Sequence, residues 1–222
     1  MNQLWLSNTR HLDLSTLRTQ LLPMLNRQES GKFQSFKSEQ RRREYLASRA
    51  LMRMALSHHY QYDPAHWQFS QAENAPPQLL NPARQDLFIS LSHSGDYVIL
   101  AISEQPVGID IEQAGQRTRA LSIAKKVFTS EQQQALDALP EADRLQYFYR
   151  LWTQKEALVK ALHDSTPNFQ MISTKAWPTK GLHISSTPLE DYSIALVSVK
   201  PHNLFTQYRA QPFGNINRGE II

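Results

Sequence analysis

A stretch free of proline and glycine, Ser38 to Tyr60, constrains this chain most. Leu46, Leu51, Met52, Met54, Ala55 and Leu56 give it apolar positions at helical spacing, so it reads as a long helix opened by Arg41, Arg42 and Arg43. Short apolar runs follow: Leu87 to Ser92 and Tyr97 to Ser103 around the turn His93-Ser94-Gly95-Asp96, then Val107 to Ile111. Their short separations predict an antiparallel meander. The order then recurs. Helical stretches at Ala120 to Val127, Ser130 to Leu139 and Glu141 to Leu162 precede strand candidates at Ile172 to Trp177, Leu182 to Ser186, Tyr192 to Val199 and Phe205 to Ala210. Gln71 to Gln85 reads as a loop and Pro212 to Ile222 as a loose tail. Helices followed by strands, twice, point to two related α+β halves, divided here as 1–115 and 116–222.

The 222 residues contain no cysteine, which excludes disulfides and thiolate-held zinc or iron–sulfur centres. No apolar run is long enough to span a bilayer, and the first ten residues lack a secretory pattern, so a cytoplasmic protein is expected. A net charge of +4 suits an anionic partner without selecting among nucleic acid, nucleotide cofactor and acidic protein.

The densest chemistry lies in Gly108-Ile109-Asp110-Ile111-Glu112. On a strand Asp110 and Glu112 project from one face, roughly 7 Å apart along the chain, with Ile109 and Ile111 on the other. Two such carboxylates repel unless solvated or bridged by a cation, and all-oxygen ligation suits Mg²⁺ or Mn²⁺. A solvated strand end is the plainer alternative. In Trp152-Thr153-Gln154-Lys155-Glu156-Ala157-Leu158-Val159-Lys160, Glu156 and Lys160 share a helix face. They form either a surface ion pair or, if this helix faces the acidic strand, a third carboxylate and a cation for phosphate chemistry. Ser92-His93-Ser94-Gly95 combines hydroxyls, an imidazole and a glycine turn, a phosphate seat or simply turn chemistry.

Taken in order, these segments resemble the phosphopantetheinyl transferase superfamily in its long, single-chain Sfp-type form, most of all the group of the enterobacterial second holo-[acyl-carrier-protein] synthase. The motifs are G-[IV]-D-[IV]-E at Gly108 to Glu112, the element Phe128-Thr129-Ser130-Glu131, W-[ST]-x-K-E at Trp152 to Glu156 running on to Lys160, S-H-S at Ser92 to Ser94, and an arginine-bearing helix at Arg41 to Arg53. The resemblance implies an α+β fold of two similar subdomains in pseudo-two-fold arrangement, each a small antiparallel sheet packed on a long helix. It implies coenzyme A as co-substrate, lying between the halves, and an acidic acyl carrier protein as acceptor. Asp110, Glu112 and Glu156 would hold Mg²⁺. Lys160 would contact the pyrophosphate, with Lys155 and Asp110 also in the cofactor set, and Ser92, His93 and Arg49 would bind the nucleotide phosphate. Glu156 or Glu131, or a metal-bound water, would take the proton from the carrier serine. A monomer is expected, with no nucleic-acid or membrane partner.

Two departures stand out. No lysine occupies Asn74-Ala75-Pro76-Pro77, where family members often carry G-K-P, and Ala161-Leu162-His163-Asp164-Ser165 lacks a G-x-G-L segment. Lys37 and Arg41 to Arg43 could compensate, and Arg117 and Arg119 could face the acidic carrier. Two other classes stay open. A metal-dependent nuclease would need an acid-x-Lys on one strand, which Glu112-Gln113-Ala114 does not supply. A carrier-binding module without catalysis would bind carrier protein alone.

Overall fold

The structure is a computed structural model and describes residues 1–70, 77–81, 86–115, 119–162, 172 and 181–222. In chain order the elements are β1 (Asn2–Asn8), α1 (Leu14–Leu21), α2 (Arg27–Ser35), α3 (Glu39–Tyr60), β2 (Phe69–Ser70), β3 (Gln78–Leu79), β4 (Phe88–Ser94) and β5 (Tyr97–Ser103). They continue with β6 (Val107–Gln113), α4 (Ala120–Val127), α5 (Ser130–Asp137), α6 (Glu141–Leu162), β7 (His183–Leu189), β8 (Tyr192–Ser198), β9 (Thr206–Ala210) and β10 (Ile216–Arg218). The fold is mixed α+β. It forms two compact units, one of Met1–Glu104 with Thr206–Ile221 and one of Gln105–Phe205.

Helix starts follow from side chains that satisfy orphan backbone N–H groups. Asp13 caps α1, Ser38 caps α3, and Asn26 with Glu29, like Thr129 with Gln132, forms a reciprocal capping box. The helix expected from Ser38 therefore begins one residue later, its cap being Ser38 itself. α6 has the expected bounds.

In the first unit a five-stranded sheet runs β10-β9-β1-β5-β4. β1 pairs antiparallel with β5 and parallel with β9, so this sheet is mixed, not the purely antiparallel one expected. α3 lays Ala47, Leu51, Met52, Ala55 and Leu56 into a core with Trp5, Val98, Leu100, Ile102 and Tyr208. Beneath its other flank Glu29 accepts from both Arg53 guanidinium nitrogens, at 3.1 and 2.7 Å, a buried bidentate pair.

The second unit holds the three-stranded antiparallel sheet β6-β8-β7, with Pro188 tolerated on edge strand β7. α6 buries Ala157, Leu158 and Ala161 against Ala195 and Val197 of β8. Gly108 sets how closely the helix lies. A Cβ at that position would fall 1.8 Å from the Ala157 carbonyl oxygen and 2.6 Å from the Ala161 nitrogen, so only glycine permits the observed approach.

Three expectations need correction. β6 does not extend a meander from β4 and β5. The free edge of β5 is taken by β1, and β6 pairs with β8. The division at 115/116 differs from the observed units for the same reason: β6 belongs with the second unit's sheet, while β9 and β10 return to the first. The tail is not loose throughout, since β10 pairs with β9. Within the expected loop at Gln71 to Gln85, Gln78–Leu79 pairs with Phe69–Ser70, while 71–76 and 82–85 lie outside the described residues. So do Arg117, the segment 163–165 and all of the strand expected at Ile172 to Trp177 except Ile172, which is buried.

Candidate active site

The acidic strand and the long helix of the second unit face each other. Asp110, Glu112 and Gly108 alternate with buried Ile109 and Ile111, so the first three share the face that meets α6. Lys160 Nζ donates to Asp110 Oδ1 at 2.7 Å and to the Ile109 carbonyl at 3.1 Å. Trp152 Nε1 donates to Glu112 Oε1 at 3.1 Å. The helix thus runs antiparallel to β6, with Trp152 over one acid and Lys160 over the other. Glu156 is four residues from each, on the helix face between them, and half-buried. Asp110 is only 4 % exposed, so its charge is desolvated and the ammonium of Lys160 compensates it.

Among the described residues no three His, Cys, Asp or Glu side chains meet as a ready-made metal site. The donor set is nonetheless all oxygen, on one strand face and the helix opposite, which suits a hard divalent cation. Mg²⁺ is commonly held by one or two carboxylates and completed by water and substrate phosphate, so a closed cage of acids is not required.

Lys155 faces elsewhere. It is fully buried, donates to the Val127 carbonyl at 2.5 Å and lies 5.3 Å from the Phe128 ring centre, at the C-terminal end of α4. One residue before Glu156 is a turn of about 100° around the helix, away from the acids. Burial lowers its pKa to about 8 from an ordinary 10.5. The unfolded chain then binds more protons than the fold between those values, so stability should climb as pH rises from about 8 towards 10.5. Urea unfolding across that range should show the climb in the wild type and lose it in Lys155→Met. Glu131 stands exposed in the first turn of α5, where the helix dipole favours an acid.

The first unit gathers a second, cationic group. β4 and β5 turn through Gly95 at φ 53°, and the register pairs Ser94 with Tyr97, so His93 and Ser94 lie within β4 rather than in the turn. Alternation puts His93 and Leu91 on one face of β4 and buried Ser92 on the other. Leu91 and His93 line a cavity of about 160 Å³ with Lys32, Arg41, Glu44 and Arg49, the last three from α3. Arg49 is buried, its Nε 3.8 Å from Glu29 and its guanidinium 4.6 Å from the Tyr45 ring centre. Arg49 and His93 therefore share a cavity, whereas Ser92 does not line it. Arg119 is exposed just before α4.

Lys32, Glu44 and the contacts of Trp152 escaped the sequence reading. Glu44 lies i+4 from Gln40 and i+3 from Arg41, a spacing that would have linked it to the arginine cluster.

Residues 106–211 match the model of the 4′-phosphopantetheinyl transferase superfamily, and residues 15–105 match that of the 4′-phosphopantetheinyl transferase N-terminal region. The chain is 35 % identical to 4′-phosphopantetheinyl transferase Sfp of Bacillus subtilis (strain 168) over 61 % of its own length and 64 % of that protein's. It is 36 % identical to a second Bacillus subtilis 4′-phosphopantetheinyl transferase over 50 % and 47 % of the two lengths, and thus spans less than two thirds of either Bacillus relative. With 4′-phosphopantetheinyl transferase AcpT of Escherichia coli (strain K12) it shares 33 % identity over 74 % of this chain and 79 % of that one. That coverage of AcpT, with matches on both sides of residue 105 to models of one superfamily, establishes that the chain belongs to the 4′-phosphopantetheinyl transferases.

Proposed function

We propose that this protein transfers the 4′-phosphopantetheine group of coenzyme A to a serine hydroxyl of an acyl carrier protein and releases 3′,5′-ADP. The observation that carries the reading is the pairing of α6 with β6, which sets Lys160 on Asp110 with Glu156 on the same helix face, in a chain of this superfamily. Asp110, Glu112 and Glu156 are the residues that would hold Mg²⁺. A bound Mg²⁺ supplies charge neutralisation on the phosphate oxygens.

The rest of the chemistry falls to the chain and its substrates. Glu156 or Glu131 accepts the proton of the carrier serine hydroxyl. The serine oxygen attacks the β-phosphorus of coenzyme A, a new P–O bond forms, and the bond to the α-phosphate oxygen breaks. Lys160 stabilises the charge that develops on the pyrophosphate. Arg49 and His93 contact the nucleotide phosphate, and Ser92 belongs to the same set on the strength of its motif alone. Lys155 supports the helix from behind rather than touching the ligand, in keeping with its buried contact to Val127.

The similarity of the two units, each with a 22-residue helix on a sheet, belongs to the same reading as a pseudo-two-fold fold. So do an acidic carrier met by the net positive chain, a monomeric state and a cytoplasmic location. No helix among the described residues is long and apolar enough to cross a membrane. Incubating the protein with coenzyme A, Mg²⁺ and apo-carrier proteins should add one phosphopantetheine to the carrier serine, read by mass spectrometry. Carrier that binds the protein but gains no mass would reduce it to a binding module. Cleaved DNA, with coenzyme A ignored, would make it a nuclease.

A further inference from the structure

The small cavity shared by Arg49 and His93 has an anion in its own wall. The carboxylate of Glu44 lies 3.2 Å from Arg41 Nη1 and 3.5 Å from His93 Nδ1, and it accepts from the Gln40 amide at 3.0 Å. Lys32 and Arg49 complete the wall of this space of about 160 Å³. Glu44 is only 7 % exposed, and its backbone is fixed within α3, where Ser48 Oγ donates to its carbonyl at 2.7 Å. A carboxylate drawn into a cluster of cationic donors takes the position that a phosphate oxygen pair would take. Lys32 and Arg49 also line a neighbouring cavity of about 450 Å³, together with Arg27, so the cationic field extends beyond the part Glu44 fills.

We propose that Glu44 is a built-in anion competing for the site that the nucleotide phosphate monoester of coenzyme A enters, and so sets the affinity for that phosphate without taking part in the transfer. The proposal rests on the reading of Arg49 and His93 as phosphate contacts. A phosphate monoester carries between one and two negative charges at neutral pH. Bound in this space it would lie directly against the Glu44 carboxylate that lines it, and like charges at that range repel. The helix backbone is held, so entry of the phosphate turns the Glu44 side chain away from His93. Arg41, released from Glu44, then becomes a further phosphate contact. The residue thus weakens binding of a co-substrate that must also leave as 3′,5′-ADP.

Calorimetric titration of the full chain with coenzyme A and with dephospho-coenzyme A, which lacks the monoester, tests this. Glu44→Gln keeps the shape and the contact to Gln40 while removing the charge. It should bind coenzyme A about tenfold more tightly, the order expected for loss of a like charge at close range in a partly solvated site. Dephospho-coenzyme A should bind both proteins equally. In turnover, KM for coenzyme A should fall while KM for apo-carrier stays at the wild-type value, a split that a merely structural residue would not produce. Unchanged or weaker binding of coenzyme A by Glu44→Gln, with His93→Ala still weakening it, overturns the role of Glu44 and leaves the site standing. No effect of either variant removes the site and the proposal together. Equal tightening for both ligands would refute the monoester as the competing group. A measurement that needs no variant is the wild-type complex with coenzyme A: the carboxylate of Glu44 must have left His93 Nδ1, and its retention there beside a phosphate bound elsewhere defeats the idea.

Discussion

Gly108→Ala should destabilise the protein by about 3 kcal/mol or more, a cost at the upper end of overpacking. Most overpacked sites relax by shifting a flexible side chain. Here the added methyl would meet main-chain atoms, the Ala157 carbonyl oxygen at 1.8 Å and the Ala161 nitrogen at 2.6 Å, so helix and strand must part. The partner residues on the helix are already alanines, leaving nothing smaller to yield. Separation would also lengthen the contacts of Lys160 to Asp110 and of Trp152 to Glu112, so activity should fall at temperatures where the variant is still folded. Gly31→Ala is the control. That glycine sits inside α2 with nothing within 4 Å of the added carbon, and alanine there should stabilise by about 0.5–1 kcal/mol through helix propensity. Urea denaturation of both variants decides it. Equal midpoints would show that the close approach of α6 to β6 is not what holds this unit together.

How much of this could be read beforehand depends on the range of the interaction. The long helices were legible because their signals are local: apolar spacing, the Ser38 cap and the absence of breakers in α3. The shared face of Asp110 and Glu112 was legible too, from strand alternation about Ile109 and Ile111. β1 was not. Its run Gln3-Leu4-Trp5-Leu6 is a central strand buried on both faces, which shows no alternation to read. Missing β1 led directly to the wrong meander, because sequential strands usually pair and only a strand from far along the chain displaces them. The same range limit hid the site's fine structure. Glycine in a strand ordinarily reads as a weak point, and nothing local announces that a helix some fifty residues on needs its missing side chain. Motif position alone set Lys155 beside Glu156 as a ligand contact. Helical periodicity already turned it to another face, but its buried partner on Val127 comes from a different helix.

Asp110→Ala should cut transfer by at least about a hundredfold while leaving the fold intact, a loss of the size seen when one element of preorganised charge stabilisation is removed. The two halves of that expectation have separate causes. Asp110 is the buried member of the acidic pair, 4 % exposed, so no solvent can replace its charge at the site. Its partner Lys160 is 28 % exposed at the side chain, so the ammonium left behind can turn to water instead of being stranded, and it keeps the Ile109 carbonyl as acceptor. Breaking the pair from this side is therefore milder than the loss of one member of a fully buried pair. Asp110→Asn sharpens the test, because the amide oxygen still accepts from Lys160 and preserves the geometry while the charge is gone. Both variants should melt near the wild type and fail alike, measured as kcat/KM from the rate of mass gain on apo-carrier. If asparagine restored most of the activity, Asp110 would serve to position Lys160. Full activity in the alanine variant would remove the acidic strand from the chemistry and, with it, the assignment of Asp110 as a metal-holding residue.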